Sequence, residues 1–111
     1  MSLRIDALPN FGRELKLLKK KYPSVVQDLA ALVDELTETP RLGVSLGHNC
    51  YKIRLAIRSK GQGKSGGARV ITCVALLDER LTLLAIYDKS EHDNISDDRL
   101  RELRQLAQTA E

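Results

Sequence analysis

Residues 50–58 read CYKIRLAIR, and the alternation in this segment decides the fold class. Positions 51, 53, 55 and 57 are apolar, whereas Lys52, Arg54 and Arg58 carry positive charge. Because successive side chains of a strand point to opposite sides, the apolar positions can pack on a core. Cations two residues apart then lie about 7 Å from each other on the other face. The segment therefore predicts a β-strand that is buried on one face and basic on the other.

The residues before this strand predict one short strand and a helical hairpin. Residues 3–8 alternate between apolar and polar and read as a first strand. Apolar residues then recur at spacings of three and four over residues 11–22 and over residues 25–36, with Asn10 as the predicted N-cap of the first run. Pro23 separates the two runs, so we expect two amphipathic helices folded back on each other.

The residues after the helices predict the rest of the sheet and a final helix. Residues 41–49 read as a turn-rich connector. Residues 69–77 and 80–87 are rich in β-branched and apolar residues and predict two more strands, joined by a tight turn at residues 78–79. Ser96 is the predicted N-cap of a short C-terminal helix. The order β-α-α-β-β-β-α predicts one α+β domain over residues 1–111, with an N-terminal helical hairpin packed on an antiparallel sheet.

Positive charge is concentrated in the middle third of the chain. The chain carries 18 basic and 15 acidic residues, a net charge of +3. Residues 39–77 contain no Asp or Glu and hold seven of the basic residues, so the remainder has 11 basic residues against 15 acids, a balance of −4. Such a cluster is the electrostatic footprint of a protein that binds nucleic acid or another polyanion. The alternative is a solvated strand edge that its cations protect from aggregation.

The glycine-rich segment SKGQGKSGGAR, residues 59–69, fits neither common nucleotide-binding motif. Gly61, Gly63 and Gly66 match G-x-G-x-x-G, but that motif needs a helix after it, and a strand is predicted there. A P-loop would need glycine at position 58, which is Arg58. The segment is therefore interpreted as a mobile, basic loop between two strands.

Length and composition restrict the class of protein. The chain has 111 residues, the size of one small domain. It contains no long apolar run and no charged-then-apolar leader, so a soluble cytoplasmic protein is expected. Cys50 and Cys73 have no motif spacing and are expected to be reduced thiols on strands, with a disulfide between neighbouring strands as the alternative. His48 and His92 are isolated, so neither a metal site nor a cofactor is predicted.

The basic strand is suited to chemistry on RNA, which supplies its own nucleophile, the 2′-hydroxyl. A protein has to hold that hydroxyl in line with the adjacent phosphate and neutralise the charge that develops. A lysine crowded by other cations is a better base, and Lys52 beside Arg54 is such a candidate. From the residues alone, catalysis and simple phosphate binding remain equal alternatives.

Several segments together resemble a known family. They are TPRLG at the end of the helical pair, CYKIRLAI, SKGQGKSGGARVI, and LLAIYDKSE followed by the helix that NIS precedes. Their combination resembles the RelE/HigB group of the RelE/ParE toxin superfamily, over residues 11–105. The resemblance implies two N-terminal helices against an antiparallel sheet. It also implies a toxin of a bacterial type II toxin–antitoxin pair, whose partners are a cognate antitoxin, the ribosome and mRNA.

The resemblance also implies an activity and a set of site residues. RelE-like members cleave translated mRNA in the ribosomal A site, which makes them endoribonucleases (mRNA interferases) that inhibit translation and leave a cyclic phosphate. Such members place a tyrosine in the C-terminal segment for base stacking, and here Tyr87 is the expected substitute. The catalytic residues carried over by position are Lys52 as the base, Arg54, Arg69 as the transition-state cation, and Lys89; the RNA-binding residues are Arg58, Lys60, Lys64 and Tyr87.

Two other functions fit the same resemblance. A ParE-like inhibitor of DNA gyrase shares the fold and needs no cleavage residues. A non-catalytic RNA-binding protein, or a decayed toxin, would bind ribosomes without cutting mRNA. In each case we expect an acidic or amphipathic antitoxin segment to cover the basic face or to displace the C-terminal helix.

Overall fold

A five-stranded sheet forms the centre of the protein, whose structure is a computed structural model that describes residues 3–109. Helices cover both faces of this sheet. The elements in chain order are β1 (Arg4–Ala7), α1 (Pro9–Lys21), α2 (Val25–Glu38), β2 (Val44–Gly47), β3 (Cys50–Leu55), β4 (Ala68–Ala75), a single 3-10 turn (Leu76–Asp78), β5 (Arg80–Asp88) and α3 (Asp97–Thr109).

The predicted α+β fold class is confirmed, and the sheet differs from the prediction in two details. The strand order is β1-β5-β4-β3-β2, and the neighbours are antiparallel except that β1 lies parallel to β5. The predicted connector at residues 41–49 contains β2, which pairs with β3. His48 and Asn49 both have positive φ, the backbone of a tight two-residue hairpin. With four residues, β2 is too short to show a clear alternation in sequence.

The first helix begins at a proline without a side-chain cap, whereas the last helix has a serine N-cap. α1 begins at Pro9 with Leu8 as its N-cap, so the prediction of Asn10 as the N-cap is wrong. Proline is favoured in the first helical turn, where its missing N–H has no partner to lose. The buried Asn10 amide instead donates to the Leu84 carbonyl at 2.9 Å, which ties α1 to β5. The predicted N-cap at Ser96 is confirmed, because its hydroxyl accepts a hydrogen bond from the Arg99 N–H at 3.1 Å.

The two faces of the sheet are covered to different extents. On one face, α1 and α2 bury a large apolar cluster that includes Phe11, Val25 and Leu36. On the other face, α3 packs Leu100 and Leu103 on a smaller cluster. Polar side chains of β3 and β4 on this face lie outside the smaller cluster. These polar side chains form the candidate site. None of the helices in the described range is both long and apolar enough to cross a membrane.

Gly67 allows the glycine-rich loop to return close to β3. A Cβ atom at this position would lie 2.0 Å from the backbone oxygen of Leu55, which cannot move without breaking the pairing of β3 with β4. Gly12, by contrast, lies in α1 with nothing within 4 Å of such an atom.

We therefore expect alanine to have opposite effects at these two glycines. Gly67→Ala should lower the free energy of unfolding by about 1–3 kcal/mol, because the added methyl group overpacks against backbone. Gly12→Ala should raise it by about 0.5–1 kcal/mol, because alanine loses less conformational entropy in a helix than glycine does. Urea denaturation of both variants measures the two shifts. Equal shifts would contradict the close approach at Gly67.

Candidate functional site

Strand pairing collects the predicted cations on the α3 side of the sheet. Arg54 of β3 lies directly opposite Arg69 of β4, and Arg69 lies opposite Tyr87 of β5. Lys52 is two residues before Arg54 on the same face of β3. Lys89 follows β5, and its N–H donates to the Gly67 carbonyl at 3.1 Å. We call Lys52, Arg54, Arg69 and Lys89 the basic face.

Arg69 is the buried centre of the basic face, with only 2% of its surface exposed. Its guanidinium donates to the carbonyls of Lys64 at 3.0 Å and Ser65 at 3.1 Å, both in the glycine-rich loop. Its Nε donates to the Asp93 carboxylate at 2.8 Å. Arg69 thus joins β4, the loop and the segment before α3. Of these acceptors, the Asp93 carboxylate is partly exposed.

Asp93 is an anion that contacts two cations of the basic face, Arg69 and Lys52. Its second carboxylate oxygen lies 3.8 Å from the Lys52 ammonium, which also donates to the Asn94 side-chain oxygen at 2.8 Å. The hydrogen bond from Arg69 lowers the pKa of Asp93, and the charges of Lys52 and Lys89 lower it further. The carboxylate is still 43% exposed. The chain's own carboxylate therefore occupies an anion-binding position that is open to solvent.

His92 stacks on Tyr87, a contact that the sequence does not reveal. The two ring centroids are 4.1 Å apart and the planes are 25° from parallel. Tyr87 is buried and its hydroxyl donates to the Asp93 carbonyl at 3.1 Å, whereas His92 is exposed. Burial and the charge of Asp93 raise the pKa of Tyr87 to about 12. The imidazole, not the phenol, therefore presents its ring to solvent. A tight turn after β5, closed by a hydrogen bond from Glu91 N–H to the Asp88 carbonyl, brings the two rings together.

Lys60 is buried in an ion pair beside the site and is not part of the basic face. Its ammonium lies 2.6 Å from Asp88, and the two side chains are 8% and 3% exposed. The ammonium also lies 5.3 Å from the centroid of the Tyr22 ring. Burial alone raises the pKa of Asp88, but the hydrogen bonds from Lys60 and Ser90 outweigh it and lower the pKa to about 2. This pair fastens the start of the glycine-rich loop to the end of β5. A buried, paired ammonium is not free for RNA, which corrects the sequence expectation for Lys60.

The other predicted RNA-binding cations line a groove between α2 and β3. Arg58 has 74% of its side chain exposed, although its Nε lies 2.9 Å from Asp28. Lys64 is exposed in the glycine-rich loop. Both contribute to the walls of the groove together with Lys52 and Arg54. The groove therefore continues the positive charge of the basic face toward α2. Within the described range, no group of three or more His, Cys, Asp or Glu residues is arranged to hold a metal ion.

The comparisons with known proteins agree with this architecture. Residues 16–111 match the family described as the RelE toxin of the RelE/RelB toxin–antitoxin system, so the chain belongs to the RelE toxin family. No curated protein matches the sequence significantly.

Two solved structures have a similar fold. One is an arginine double mutant of E. coli toxin RelE in the free state, with a TM-score of 0.61 and 20% identity over 95% of this chain and 97% of that chain. The other is the isolated E. coli RelE toxin, with a TM-score of 0.60 and 18% identity over 95% and 99% of the two chains.

The buried Lys60–Asp88 pair leads to a prediction about stability and pH. Asp88→Asn should lower the free energy of unfolding by about 3 kcal/mol at pH 7, because it leaves the Lys60 ammonium buried without its partner. The pKa of Asp88 falls on folding, so the pair stabilises the protein above pH ~4 and loses this effect as pH falls toward about 2. The difference in the free energy of unfolding between Asp88→Asn and wild type should therefore shrink as the pH falls over the same interval. Urea denaturation across this pH range measures it.

Asp98→Asn is the matched control for this experiment. Asp98 pairs with Arg101 on the surface, where the two side chains are 92% and 59% exposed. An exposed pair contributes about 0–1 kcal/mol, so this variant should unfold close to wild type. Similar losses in the two variants would contradict a special role for the buried pair.

Proposed function

We propose that this toxin is a ribosome-dependent endoribonuclease that cleaves translated mRNA in the cytoplasm. The observation that carries the proposal is the basic face, where Arg69, Lys52 and Lys89 act on the partly exposed carboxylate of Asp93. An RNA phosphate has the charge and hydrogen-bonding capacity to take the place of that carboxylate. Because the family consists of toxins of a toxin–antitoxin system, its cellular target should be one whose inactivation stops growth.

The proposed reaction uses the 2′-hydroxyl of the RNA as nucleophile. Lys52 accepts the hydroxyl proton as the oxygen attacks the adjacent phosphorus, while Arg54 and Arg69 stabilise the charge on the phosphate oxygens. Lys89 assists the departing 5′-oxygen. The products are a 2′,3′-cyclic phosphate and a 5′-hydroxyl. In this scheme the ribosome supplies the in-line geometry, because a flexible strand pays an entropic cost to adopt it.

The surroundings of the basic face suit a single RNA strand. The exposed His92 ring, backed by Tyr87, offers a π-face on which a base can stack. Arg58 and Lys64 in the adjoining groove would contact the phosphate backbone of mRNA or ribosomal RNA. We further propose that an acidic or amphipathic antitoxin segment inhibits the toxin, either by covering the basic face or by displacing α3.

Replacement of basic-face cations should reduce cleavage. Lys52→Ala should reduce cutting of a translated reporter mRNA by roughly 100-fold or more, because it removes the proposed base. Arg54→Ala should weaken cutting because it removes an exposed cation next to the reacting phosphate. Primer extension after brief induction measures the cuts, and a non-translated copy of the reporter tests the need for the ribosome.

Lys16→Ala is the matched control, since Lys16 is an exposed lysine of α1. It should cut like wild type. Intact mRNA in cells that express wild-type toxin would overturn the proposal. Intact mRNA with DNA breaks would point to gyrase, and ribosome binding without cuts would point to a non-catalytic RNA-binding protein.

Asp93 should compete with RNA for the basic face. Asp93→Asn should tighten binding of a short single-stranded RNA roughly fivefold at low salt, because the phosphate no longer has to displace a carboxylate. Fluorescence anisotropy at several salt concentrations measures this affinity. Asp97→Asn removes the same charge from the start of α3, where the carboxylate is exposed. An equal gain in both variants would show that only net charge matters, contrary to the competition.

A further inference from the structure

The two cysteines of the chain lie directly opposite each other on β3 and β4, on the α3 side of the sheet. The Val74 N–H donates to the Asn49 carbonyl at 2.9 Å, so Cys50 and Cys73 occupy a non-hydrogen-bonded position of the antiparallel ladder. At such positions the Cα atoms are about 4.5 Å apart and the side chains are closest. This separation lies within the range that a disulfide can bridge.

The two thiols differ in burial and in pKa, and this difference gives them different roles in oxidation. Cys50 is completely buried, and its thiol lies 3.6 Å from the His48 carbonyl. Cys73 is partly exposed. A hydrogen bond from Cys50 lowers the pKa of Cys73; burial opposes this effect, and the positive charges of Arg104 and Arg80 reinforce it. The hydrogen bond to Cys73 and burial raise the pKa of Cys50. Cys73 is therefore the more accessible thiol and the readier of the two to ionise, and Cys50 is its buried neighbour.

Arg104 of α3 is the source of one of these positive charges. Its Nε is buried, and within the described range no acceptor forms a hydrogen bond with it. A buried donor of this kind is costly, so an anion next to it gains more than the same anion on the surface. A thiolate at Cys73 is such an anion.

We propose that Cys73 and Cys50 form a peroxide-oxidisable dithiol site that closes into a cross-strand disulfide. The Cys73 thiolate attacks one oxygen of hydrogen peroxide, the O–O bond breaks, and the products are a sulfenic acid and hydroxide. The Cys50 sulfur then attacks the Cys73 sulfur. The S–O bond breaks, and the sulfenic hydroxyl leaves as water with the proton of the Cys50 thiol. The hydroxide from the first step takes up the proton that Cys73 released to solvent. In total, two thiols and one peroxide give one disulfide and two waters.

This site is separate from the basic face and does not depend on the proposed nuclease activity. Cys50 is two residues before Lys52, about 7 Å along β3, and its thiol packs among apolar residues under α3. Oxidation can therefore be measured on the isolated full-length protein, without RNA or ribosomes.

The experiment treats reduced full-length protein with hydrogen peroxide, alkylates the remaining thiols and records the intact mass. The expected product is a monomer that has lost two hydrogen atoms and does not react with the alkylating agent. Cys50→Ser should stop at the Cys73 sulfenic acid, which dimedone traps. Cys73→Ser should react much more slowly at Cys50. Unfolding in urea before treatment should remove the difference between the two thiols.

A pair of arginine variants separates the charge effect from general reactivity. Arg104→Gln should slow the first oxidation step roughly threefold, because less of Cys73 is then a thiolate. Arg101→Gln is the control on the same helix, where the arginine is exposed and pairs with Asp98. It should oxidise at the wild-type rate.

Three outcomes would overturn the proposal. The first is a folded protein whose two thiols remain alkylatable after peroxide treatment. The second is a disulfide between two chains in place of the one within a chain. The third is a sulfenic acid trapped at Cys50 in Cys73→Ser as fast as at Cys73 in Cys50→Ser, which would reverse the roles of the thiols.

Discussion

The buried guanidinium of Arg69 holds together the segments from which the candidate site is built. It lies on β4, and its donors reach carbonyls of the glycine-rich loop and the carboxylate of Asp93 ahead of α3. Arginine supplies five donors in a rigid planar fork, whereas a lysine has a single ammonium and could not reach these acceptors together. Burial strengthens the bonds to the two loop carbonyls and makes their loss costly. The arrangement of both loops around the basic face therefore depends on this one side chain.

Two carboxylates next to the site have different physical roles because they differ in burial. The side chains of Asp88 and Lys60 are almost fully buried, so separating them would leave two unpaired charges away from water. The pair therefore holds the glycine-rich loop in place. Asp93 contacts Arg69 and Lys52 from a partly exposed position. Water or another anion can replace it at low cost. The same chemical group is enclosed with its partner in the first case and partly exposed to solvent in the second.

The sequence was informative about the fold wherever a pattern repeated over several residues. The helical hairpin, strands β3 to β5 and the cap of α3 follow from side-chain periodicity and local hydrogen bonding. It was uninformative for β2, which is four residues long, and for the parallel pairing of β1, which depends on a partner more than seventy residues away. For the site, alternation correctly placed Lys52 and Arg54 on one face of β3, whereas only the strand register shows Arg69 opposite Arg54. The stack of His92 on Tyr87 was missed because a turn, not a periodic element, produces it.

By itself, the sequence determined a small α+β domain with a half-buried strand whose outer face is basic. A period of two admits only one division of CYKIRLAIR into an apolar side and a charged side, and the absence of acids from residues 39–77 concentrates the charge. Which cations remain available depends on the packing of distant segments. Lys60 and Arg58 are two residues apart and look equivalent in sequence, yet one is buried against Asp88 and the other is largely exposed. Their partners, Asp88 and Asp28, are 28 and 30 residues away along the chain. No local pattern encodes a contact over that distance, so packing alone separates a buried, paired cation from an exposed one.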